Sequence, residues 1–257
     1  MTARAVVFPR EVTDCGGKGL HMPKVLVIPD VHLKPWMFES ASRLMGRADF
    51  AVVLGDLVDD WGRQDDRDVY AATVEAALRF DAEHPGMLWC YGNHDYCYLH
   101  FEEGAYNTGF SDGLKYFVRA RLRELEGAVG DRFKVVHEID GVLFSHAGVG
   151  QRYVEALRAR LGEGLTLEEC AEFTNEAAGP SVLWDDDSPL WLRPSVSRPG
   201  VGGARQVAGH TPVSHPVELG GILVVDTFST HPDGQPIGNQ RFTIYDTSTD
   251  IFSIVVP

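Results

Sequence analysis

The sequence predicts an α/β fold in which two packed, mixed β-sheets are flanked by helices. Two observations support this prediction. Over much of the chain, short apolar runs alternate with segments of helical periodicity, which is the pattern of βαβ units. From Gln206 onward the chain reads as strands alone, which indicates antiparallel strands added to those units.

The elements follow one another with short connections. The apolar run 25–29 predicts the first strand, and a loop at 33–36 leads into a helix through about residue 47. Further strands are predicted at 50–54, 87–91, 134–137, 142–145, 206–208, 222–226, 241–246 and 251–256, and further helices at 67–83, 111–126, 150–161 and 166–177. Residues 59–66 form a polar loop, and the aromatic and glycine-rich residues 96–112 are predicted to be an irregular insertion beside a site.

The length of 257 residues suits one large domain or two small ones. Because the metal-type residues described below are spread from residue 30 to residue 210, we predict a single domain over 23–257. Residues 1–22 show no hydrophobic periodicity, and we expect a flexible N-terminal extension rather than a functional arm.

Composition limits the classes of partner. The formal net charge of −14 argues against a surface for nucleic acid or anionic membranes. No apolar stretch approaches the ~18–20 residues of a membrane span, and the N-terminus lacks the apolar core of a signal peptide. Cysteines 15, 90, 97 and 170 lack the spacing of a zinc site, which favours reduced thiols in a cytoplasmic protein.

Five of the apolar runs end in residues of the kind that bind metals. In chain order these residues are Asp30 and His32, then Asp56 and Asp59, then Asn93, His94 and Asp95, then His146, and finally His210. Ligands of open α/β sheets bind at the carboxyl ends of the strands. The recurrence of one pattern five times predicts a single metal site collected from distant parts of the chain.

The chemistry of these residues narrows the choice of metal. Carboxylate, amide oxygen and imidazole nitrogen, without thiolate, suit Mn, with Fe or Zn as alternatives. Asp56 has candidate ligands on both sides in the sequence. A carboxylate so placed can bridge two ions ~3.5–4 Å apart, and we therefore predict two divalent metal ions.

The motifs resemble those of the calcineurin-like metallophosphoesterase superfamily. They are Asp-x-His at 30–32, Gly-Asp-x-x-Asp at 55–59, Gly-Asn-His-Asp at 92–95, Ser-His-Ala-Gly at 145–148 and Gly-His-Thr-Pro at 209–212. The Gly-Asp-Leu-Val-Asp form and the Trp-Leu-Arg segment at 191–193 are similar to the bacterial branch of the phosphoprotein phosphatases. The resemblance implies the superfamily's four-layer sandwich and a hydroxide that bridges two metals and attacks phosphorus.

The resemblance also implies roles for individual residues. Asp30, His32 and Asp56 would hold one metal, and Asp56, Asn93, His146 and His210 the other. His94 would be the general acid, oriented by Asp59. Arg193 would grip the phosphoryl oxygens, and Asn93 would also contact the substrate.

Two departures from the family patterns bear on substrates. Many members carry a histidine where this chain has Pro212, so the first metal has fewer protein ligands. His215 is a candidate for the missing ligand, but we favour an ordinary loop histidine at that position. The Asp-Arg-Gly of the family is replaced by residues 60–62, Asp-Trp-Gly, so a second phosphate-binding arginine is missing. Arg63 is the candidate replacement, and without it phosphoprotein substrates are put in doubt.

The interpretation favoured by the sequence is a phosphomonoesterase that acts on a phosphorylated small molecule or a phosphoprotein. The enzymatic alternative is a hydrolase of dinucleoside polyphosphates or phosphodiesters. An alternative of another class is a binding scaffold with this fold, but such scaffolds usually lose metal ligands, and here every position is filled. His231 is a weaker candidate for lining the site. Trp36, Trp61 and Trp191 either stack on a leaving group or pack beneath loops.

Overall fold

The computed structural model describes residues 23–176 and 179–256. The predicted N-terminal extension and Cys15 lie outside the described residues, and the division into an extension and one domain stays a prediction. In the described residues the helices are α1 (Trp36–Leu44), α2 (Arg67–Glu83), α3 (Asn93–His100), α4 (Lys115–Val129), α5 (Gln151–Leu161), α6 (Leu167–Glu176) and α7 (Pro180–Leu183). The strands are β1 (Lys24–Ile28), β2 (Phe50–Val53), β3 (Leu88–Cys90), β4 (Phe133–Lys134), β5 (Val136–Ile139), β6 (Val142–Ser145), β7 (Arg205–Ala208), β8 (Val217–Leu219), β9 (Ile222–Val224), β10 (Phe242–Asp246) and β11 (Ile251–Val255).

These strands form two mixed sheets. The first has the order β11-β10-β1-β2-β3-β4, and the second has the order β5-β6-β7-β9-β8. Parallel pairs β1–β2 and β2–β3 are each joined by a helical crossover, whereas β10 and β11 pair in antiparallel fashion. In the second sheet β6, β7 and β9 are parallel. At its edges β5 pairs with β6, and β8 pairs with β9, both in antiparallel fashion. The prediction of two mixed sheets is confirmed.

Alternation along β1 shows how the layers pack. Val25 and Val27 face the second sheet and belong to the same buried cluster as Phe144 and Val207. The intervening Leu26 and Ile28 belong to a second cluster, which includes side chains of α1, α2 and α4. Because both faces are covered, the strand is apolar without a polar side. A third cluster joins the outer face of the second sheet to α5 and α6, which completes the helical flanks.

The structure corrects four details of the sequence-based assignment. Residues 96–100 of the predicted insertion belong to α3, whose side chains are buried on nearly every side and therefore show no amphipathic period. The helix predicted at 111–126 occupies Lys115–Val129 after a turn. The predicted strand 134–137 is split, because Lys134 pairs with β3 of the first sheet, whereas the hairpin partner of β6 is β5. Strand β8 was not predicted.

The architecture brings the five predicted ligand segments to one place. Loops after β1, β2, β3, β6 and β7 carry them, and these strands run parallel within each sheet. No helix within residues 23–176 and 179–256 is long and apolar enough to span a lipid bilayer.

Candidate metal centre and active-site cleft

The loops after β1 and β2 are joined through their backbones. The amide N–H groups of Val31 and His32 both donate to the Asp56 carbonyl, at 3.0 and 2.7 Å, and Leu33 N–H donates to the Leu57 carbonyl at 3.1 Å. These bonds fix the first two ligand segments relative to each other. The metal-type side chains that they carry are therefore positioned by the backbone before any ligand binds.

Several site residues adopt the left-handed backbone conformation that is uncommon for residues other than glycine. The φ angles are +43° at His32, +48° at Asp56, +62° at Asp59 and +60° at His210. Such conformations cost free energy and persist where the surrounding structure enforces them, commonly at functional sites. Here the backbone conformation turns one side chain of each loop toward a common point.

Two glycines allow the loops to approach closely. A Cβ atom on Gly92 would lie 2.0 Å from the backbone nitrogen of Asp56, and a Cβ on Gly209 would lie 2.1 Å from Asp30 Oδ1. No side chain fits at these distances. The glycines of the Gly-Asn-His-Asp and Gly-His-Thr-Pro motifs are thus required by close packing around the site.

The first group of candidate ligands consists of Asp30, His32 and Asp56. His32 Nδ1 donates to the Asp59 carbonyl at 2.9 Å, which leaves a lone pair on its Nε2. That nitrogen lies 3.9 Å from Asp30 Oδ2 and 3.6 Å from Asp56 Oδ2. Two carboxylate oxygens and one unprotonated nitrogen therefore face the same point.

The second group shares Asp56 with the first and adds Asn93, His146 and His210. His146 Nδ1 donates to the Leu54 carbonyl at 2.9 Å, so its Nε2 also carries a lone pair. This nitrogen is 2.8 Å from Asn93 Oδ1, 3.1 Å from His210 Nδ1 and 3.4 Å from Asp56 Oδ2. The four atoms belong to side chains that are 6% exposed or less.

Such a convergence of acceptor atoms fits a bound cation. A carboxylate oxygen, an amide oxygen and the unprotonated Nε2 of His146 repel one another when no positive charge lies between them. Divalent first-row metals accept this donor set. Two groups that share one carboxylate fit two ions, with Asp56 as the bridge.

The pKa directions describe the cost of collecting these groups without metal. Burial, together with the charges of Asp30 and Asp95, raises the pKa of Asp56 well above its ordinary value. Burial also raises the pKa of Asp30, and it lowers the pKa of His32 to about 3. The charge of a divalent ion opposes the effect of burial on carboxylates and favours their ionised form. The electrostatics therefore also fit a cationic site.

His94 lies beside the candidate ligands and is held by Asp59. His94 Nδ1 is 2.9 Å from Asp59 Oδ2, and the His94 backbone N–H donates to Asp56 Oδ1 at 2.9 Å. The other oxygen of Asp59 accepts hydrogen bonds from the hydroxyls of Tyr70 and Tyr98 at 2.6 and 2.7 Å. Fixed in this way, Asp59 keeps the proton on Nδ1 and directs His94 Nε2 toward the site, 4.0 Å from Asp56 Oδ2.

These groups lie at the base of an open cleft of about 360 Å³. Its lining comprises His32, Asp56, Asp59, Asp60, Trp61, Gln64, Asn93, His94, Asn107, Thr108, Gly109, Trp191, Arg193, His210, Pro212, Ser229, Thr230, His231, Pro232 and Ile237. A cavity of this size with convergent polar groups at one end is typical of small-molecule sites.

Comparison with known proteins agrees with this geometry. The family model for calcineurin-like phosphoesterases matches residues 23–232, most of the chain. The chain belongs to the calcineurin-like phosphoesterase family. It is accordingly a metal-dependent hydrolase of phosphoester bonds, and the predicted superfamily resemblance is confirmed. No curated protein matches the chain.

Solved structures are similar to this phosphoesterase at low sequence identity. The cold-active protein-tyrosine phosphatase of the psychrophile Shewanella sp. is 15% identical, with a TM-score of 0.50 over 91% of this chain and 80% of that one. A metallophosphoesterase from Sphaerobacter thermophilus is 14% identical, with a TM-score of 0.41 over 91% of this chain and 88% of that one.

The two arginines predicted to bind substrate are placed differently in this phosphoesterase. Arg193 lines the cleft, and its Nη1 donates to the His210 carbonyl at 3.0 Å. Arg63 is not among the lining residues; its guanidinium pairs with Asp66 at 2.7 Å, three residues along the same exposed loop. The geometry therefore gives no support to the prediction that Arg63 binds substrate, which stays a prediction. A carboxylate at the start of α2 holds the side chain away.

The acidic segment 185–187 pairs with a neighbouring arginine. Asp187 Oδ1 accepts a hydrogen bond from Arg198 Nε at 3.0 Å, and Asp186 also contacts Arg198. Arg193 is held by the backbone carbonyl of His210, a candidate metal ligand, and presents its remaining donors to the cleft. That is a suitable position for a donor to phosphoryl oxygens.

Sequence reasoning missed the roles of several residues that support the site. Asp95 was counted among the metal-type residues, whereas in the structure its carboxylate accepts the backbone N–H groups of Leu57 and Gly92 and so joins two ligand loops. Asp226 is fully buried at the end of β9, and its charge contributes to the raised pKa of Asp30. Tyr70 and Tyr98 look like ordinary core aromatics in the sequence. A carboxylate following β9 was a usable signal for Asp226, whereas only the fold reveals the two tyrosines.

The weaker candidates divide by location. His231, Trp61 and Trp191 line the cleft. His215 is exposed and bonds Ser214, outside the cleft lining. Trp36, the first residue of α1, packs against Phe228 and does not line the cleft.

Proposed function

We propose that this phosphoesterase hydrolyses phosphomonoesters, with His94 as general acid and two divalent ions, most suitably Mn²⁺, as cofactors. The observation that carries the proposal is the His94–Asp59 pair beside the two ligand groups. Its substrate would be a phosphorylated small molecule or phosphoprotein, in a cytoplasmic setting consistent with the free, buried Cys90, Cys97 and Cys170. The Shewanella neighbour is a protein-tyrosine phosphatase by name, and the likeness to it carries only the fold.

The candidate ligands of the two groups are Asp30, His32, Asp56, Asn93, His146 and His210. When bound, two divalent ions supply a water of lowered pKa and neutralise charge on phosphoryl oxygens. Asn93 would also contact the substrate, because it lines the cleft together with His94, the next residue of α3. The same residues would thus bind cofactor and limit where the phosphoryl group sits.

The chain's own residues then perform the remaining tasks. His94 Nε2 faces the cleft and is available to protonate the departing alkoxide, while Asp59 stabilises the protonated ring through Nδ1. Arg193 is positioned to hold a phosphoryl oxygen with its free donors. A monoester dianion has a third non-bridging oxygen for this arginine, whereas a diester carries an ester group there.

A substrate panel tests the proposal. The full chain with Mn²⁺ is assayed on nitrophenyl phosphate, bis-nitrophenyl phosphate and diadenosine tetraphosphate, and we expect the highest kcat/KM on the monoester. Asp56→Asn serves as the inactive control, because it alters the candidate bridging ligand. Faster hydrolysis of the diester or of the dinucleotide would overturn the monoesterase assignment in favour of the other enzymatic interpretation.

A further inference from the structure

The wall of the cleft beyond the candidate metal ligands is largely apolar and includes an exposed indole. Trp61 is 48% exposed although it lines the cleft, and Pro212, Pro232 and Ile237 line the same cavity. In the described part of the chain no ring contact involves Trp61, whereas Trp191 packs against Trp184 and His210. An exposed aromatic face inside a cleft gains free energy when a flat apolar group covers it.

The distribution of charge in the cleft limits what that group can be. Among the described residues that line the cleft, Arg193 is the single lysine or arginine, whereas Asp56, Asp59 and Asp60 are acidic. Bound cations would compensate the charge of Asp56, and Asp59 pairs with His94. Asp60 therefore adds a carboxylate to the wall of the cleft with no role in either group.

Asp60 is held rigidly in this position. Its Oδ1 accepts hydrogen bonds from Thr230 Oγ1 and from the Trp61 backbone N–H, both at 2.9 Å, and its Oδ2 pairs with Lys34 Nζ at 3.2 Å. Lys34 is 8% exposed and also donates to the His32 carbonyl, so this cation is not available to a substrate. The same carboxylate thus fixes the Trp61 backbone and joins two walls of the cleft.

We propose that this part of the cleft is a leaving-group subsite for an uncharged aromatic or heteroaromatic alcohol, with Trp61 as its stacking surface and Asp60 as the residue that rejects further phosphates. The inference rests on the proposed monoesterase function and names its substrate class. One phosphoryl group is matched by Arg193 and the cations. A second phosphate on the leaving group meets no unpaired lysine or arginine, because Asp60 keeps Lys34 in an ion pair, and this disfavours nucleoside diphosphates and dinucleoside polyphosphates.

Two matched substrate pairs separate the two parts of the inference. Benzyl phosphate and cyclohexylmethyl phosphate have leaving groups of similar size and basicity and differ in flatness. Adenosine 5′-monophosphate and adenosine 3′,5′-bisphosphate share one ring system and one 5′-alkoxide leaving group and differ by a second phosphate on that leaving group. For the Mn²⁺-loaded protein we expect kcat/KM about 5–10-fold higher for benzyl than for cyclohexylmethyl phosphate, the scale of one aromatic contact. For hydrolysis of the 5′-phosphate we expect a higher kcat/KM with the monophosphate than with the bisphosphate.

Three variants assign these preferences to residues. Trp61→Leu should bring the benzyl preference to within about twofold of unity, whereas Trp36→Leu, which alters an exposed tryptophan outside the cleft, should leave it unchanged. Asp60→Asn keeps an oxygen for Thr230 and should raise activity on the bisphosphate relative to the monophosphate by roughly tenfold. Lys34 loses its ion pair in this variant, so circular dichroism and melting temperature are compared with the parent protein.

A binding measurement provides a readout that does not depend on turnover. Adenosine alone should quench tryptophan fluorescence of the parent and of Trp36→Leu, and quench Trp61→Leu much less. Activity on monoesters with a benzyl preference and quenching that survive Trp61→Leu would overturn the inference and leave the monoesterase function standing. A parent protein that hydrolyses none of the monoesters would overturn the proposed function, and the substrate class with it.

Discussion

The imidazole of His94 is fixed by Asp59, whose Oδ2 lies 2.9 Å from His94 Nδ1 while its Oδ1 accepts two tyrosine hydroxyls. Asp59 is 2% exposed, so its position is set by packing as well as by hydrogen bonds. The four-residue arrangement links α2 and α3 to the loop after β2. It gives His94 one protonated nitrogen toward the protein and one nitrogen toward the cleft, which is what proton donation requires.

Replacing His94 by alanine should affect substrates according to their leaving groups. We expect kcat to fall by ~10²–10⁴ on an alkyl phosphate, the usual range for general acid catalysis, and much less on nitrophenyl phosphate, because nitrophenolate departs without a proton. His215→Ala is the matched control, since that histidine is exposed outside the cleft lining. Equal losses on both substrates would remove His94 from the role of acid.

Arg193→Ala and Arg63→Ala form a second matched pair. Arg193 lines the cleft and Arg63 pairs with Asp66 in the exposed loop, so only the first substitution should reduce kcat/KM on a monoester. We expect a loss of ~2–4 kcal/mol in transition-state stabilisation for Arg193→Ala, in line with removal of one preorganised donor. Steady-state kinetics measure both, and a larger effect for Arg63→Ala would reverse their assignment.

Gly209→Ala should damage the site although alanine is the smallest possible change. The added Cβ would lie 2.1 Å from Asp30 Oδ1 and would displace a candidate ligand. We expect a destabilisation of about 1–3 kcal/mol from overpacking and a weaker response to Mn²⁺. Gly46→Ala is the control, because no atom lies within 4 Å of the position of its Cβ. Chemical denaturation with and without Mn²⁺ distinguishes the two, and equal behaviour would contradict the packing argument.

Metal should stabilise the protein, and Asp56→Asn should distinguish the cost of the buried Asp56 charge from its contribution to metal binding. A group whose pKa is raised on folding disfavours the folded state as pH rises past its unfolded pKa, so Asp56 destabilises the metal-free protein at pH 7. Asp56→Asn should therefore raise the melting temperature of the metal-free protein while reducing the increase that Mn²⁺ produces. For the parent protein, a free Mn²⁺ concentration of 100 times Kd corresponds to an increase of about 2.7 kcal/mol in the free energy of unfolding. An unchanged Mn²⁺ response in the variant would exclude Asp56 as a ligand.

The candidate ligands were predictable from the sequence because each follows an apolar strand and carries a side chain that does not tolerate unpaired burial. His146 and His210 are far apart in the chain, but the parallel pairing of β6 and β7 brings them to one edge. The position of Arg63 was not predictable, because nothing in the local sequence distinguishes a loop arginine that faces the cleft from one that pairs with Asp66. The tyrosines that donate to Asp59 were missed because the sequence does not show which group a buried hydroxyl bonds to.

The contacts of the loop 60–62 were also not predictable from the sequence. The sequence showed that Trp61 stands where the family has an arginine, and it suggested Arg63 as the replacement. It did not predict that Asp60 contacts Lys34 and Thr230, since these residues lie on different segments of the chain. Long-range side-chain pairs of this kind depend on the packing of loops, which local patterns do not determine.

The most direct test of the central claim is anomalous scattering from crystals of the full chain grown with Mn²⁺. The convergence of lone pairs on both sides of Asp56 predicts two peaks a few ångströms apart, one beside Asp30 and His32 and the other beside Asn93, His146 and His210. Two such peaks, bridged by the Asp56 carboxylate, are the result that the account predicts. A single peak distant from Asp56 would contradict it.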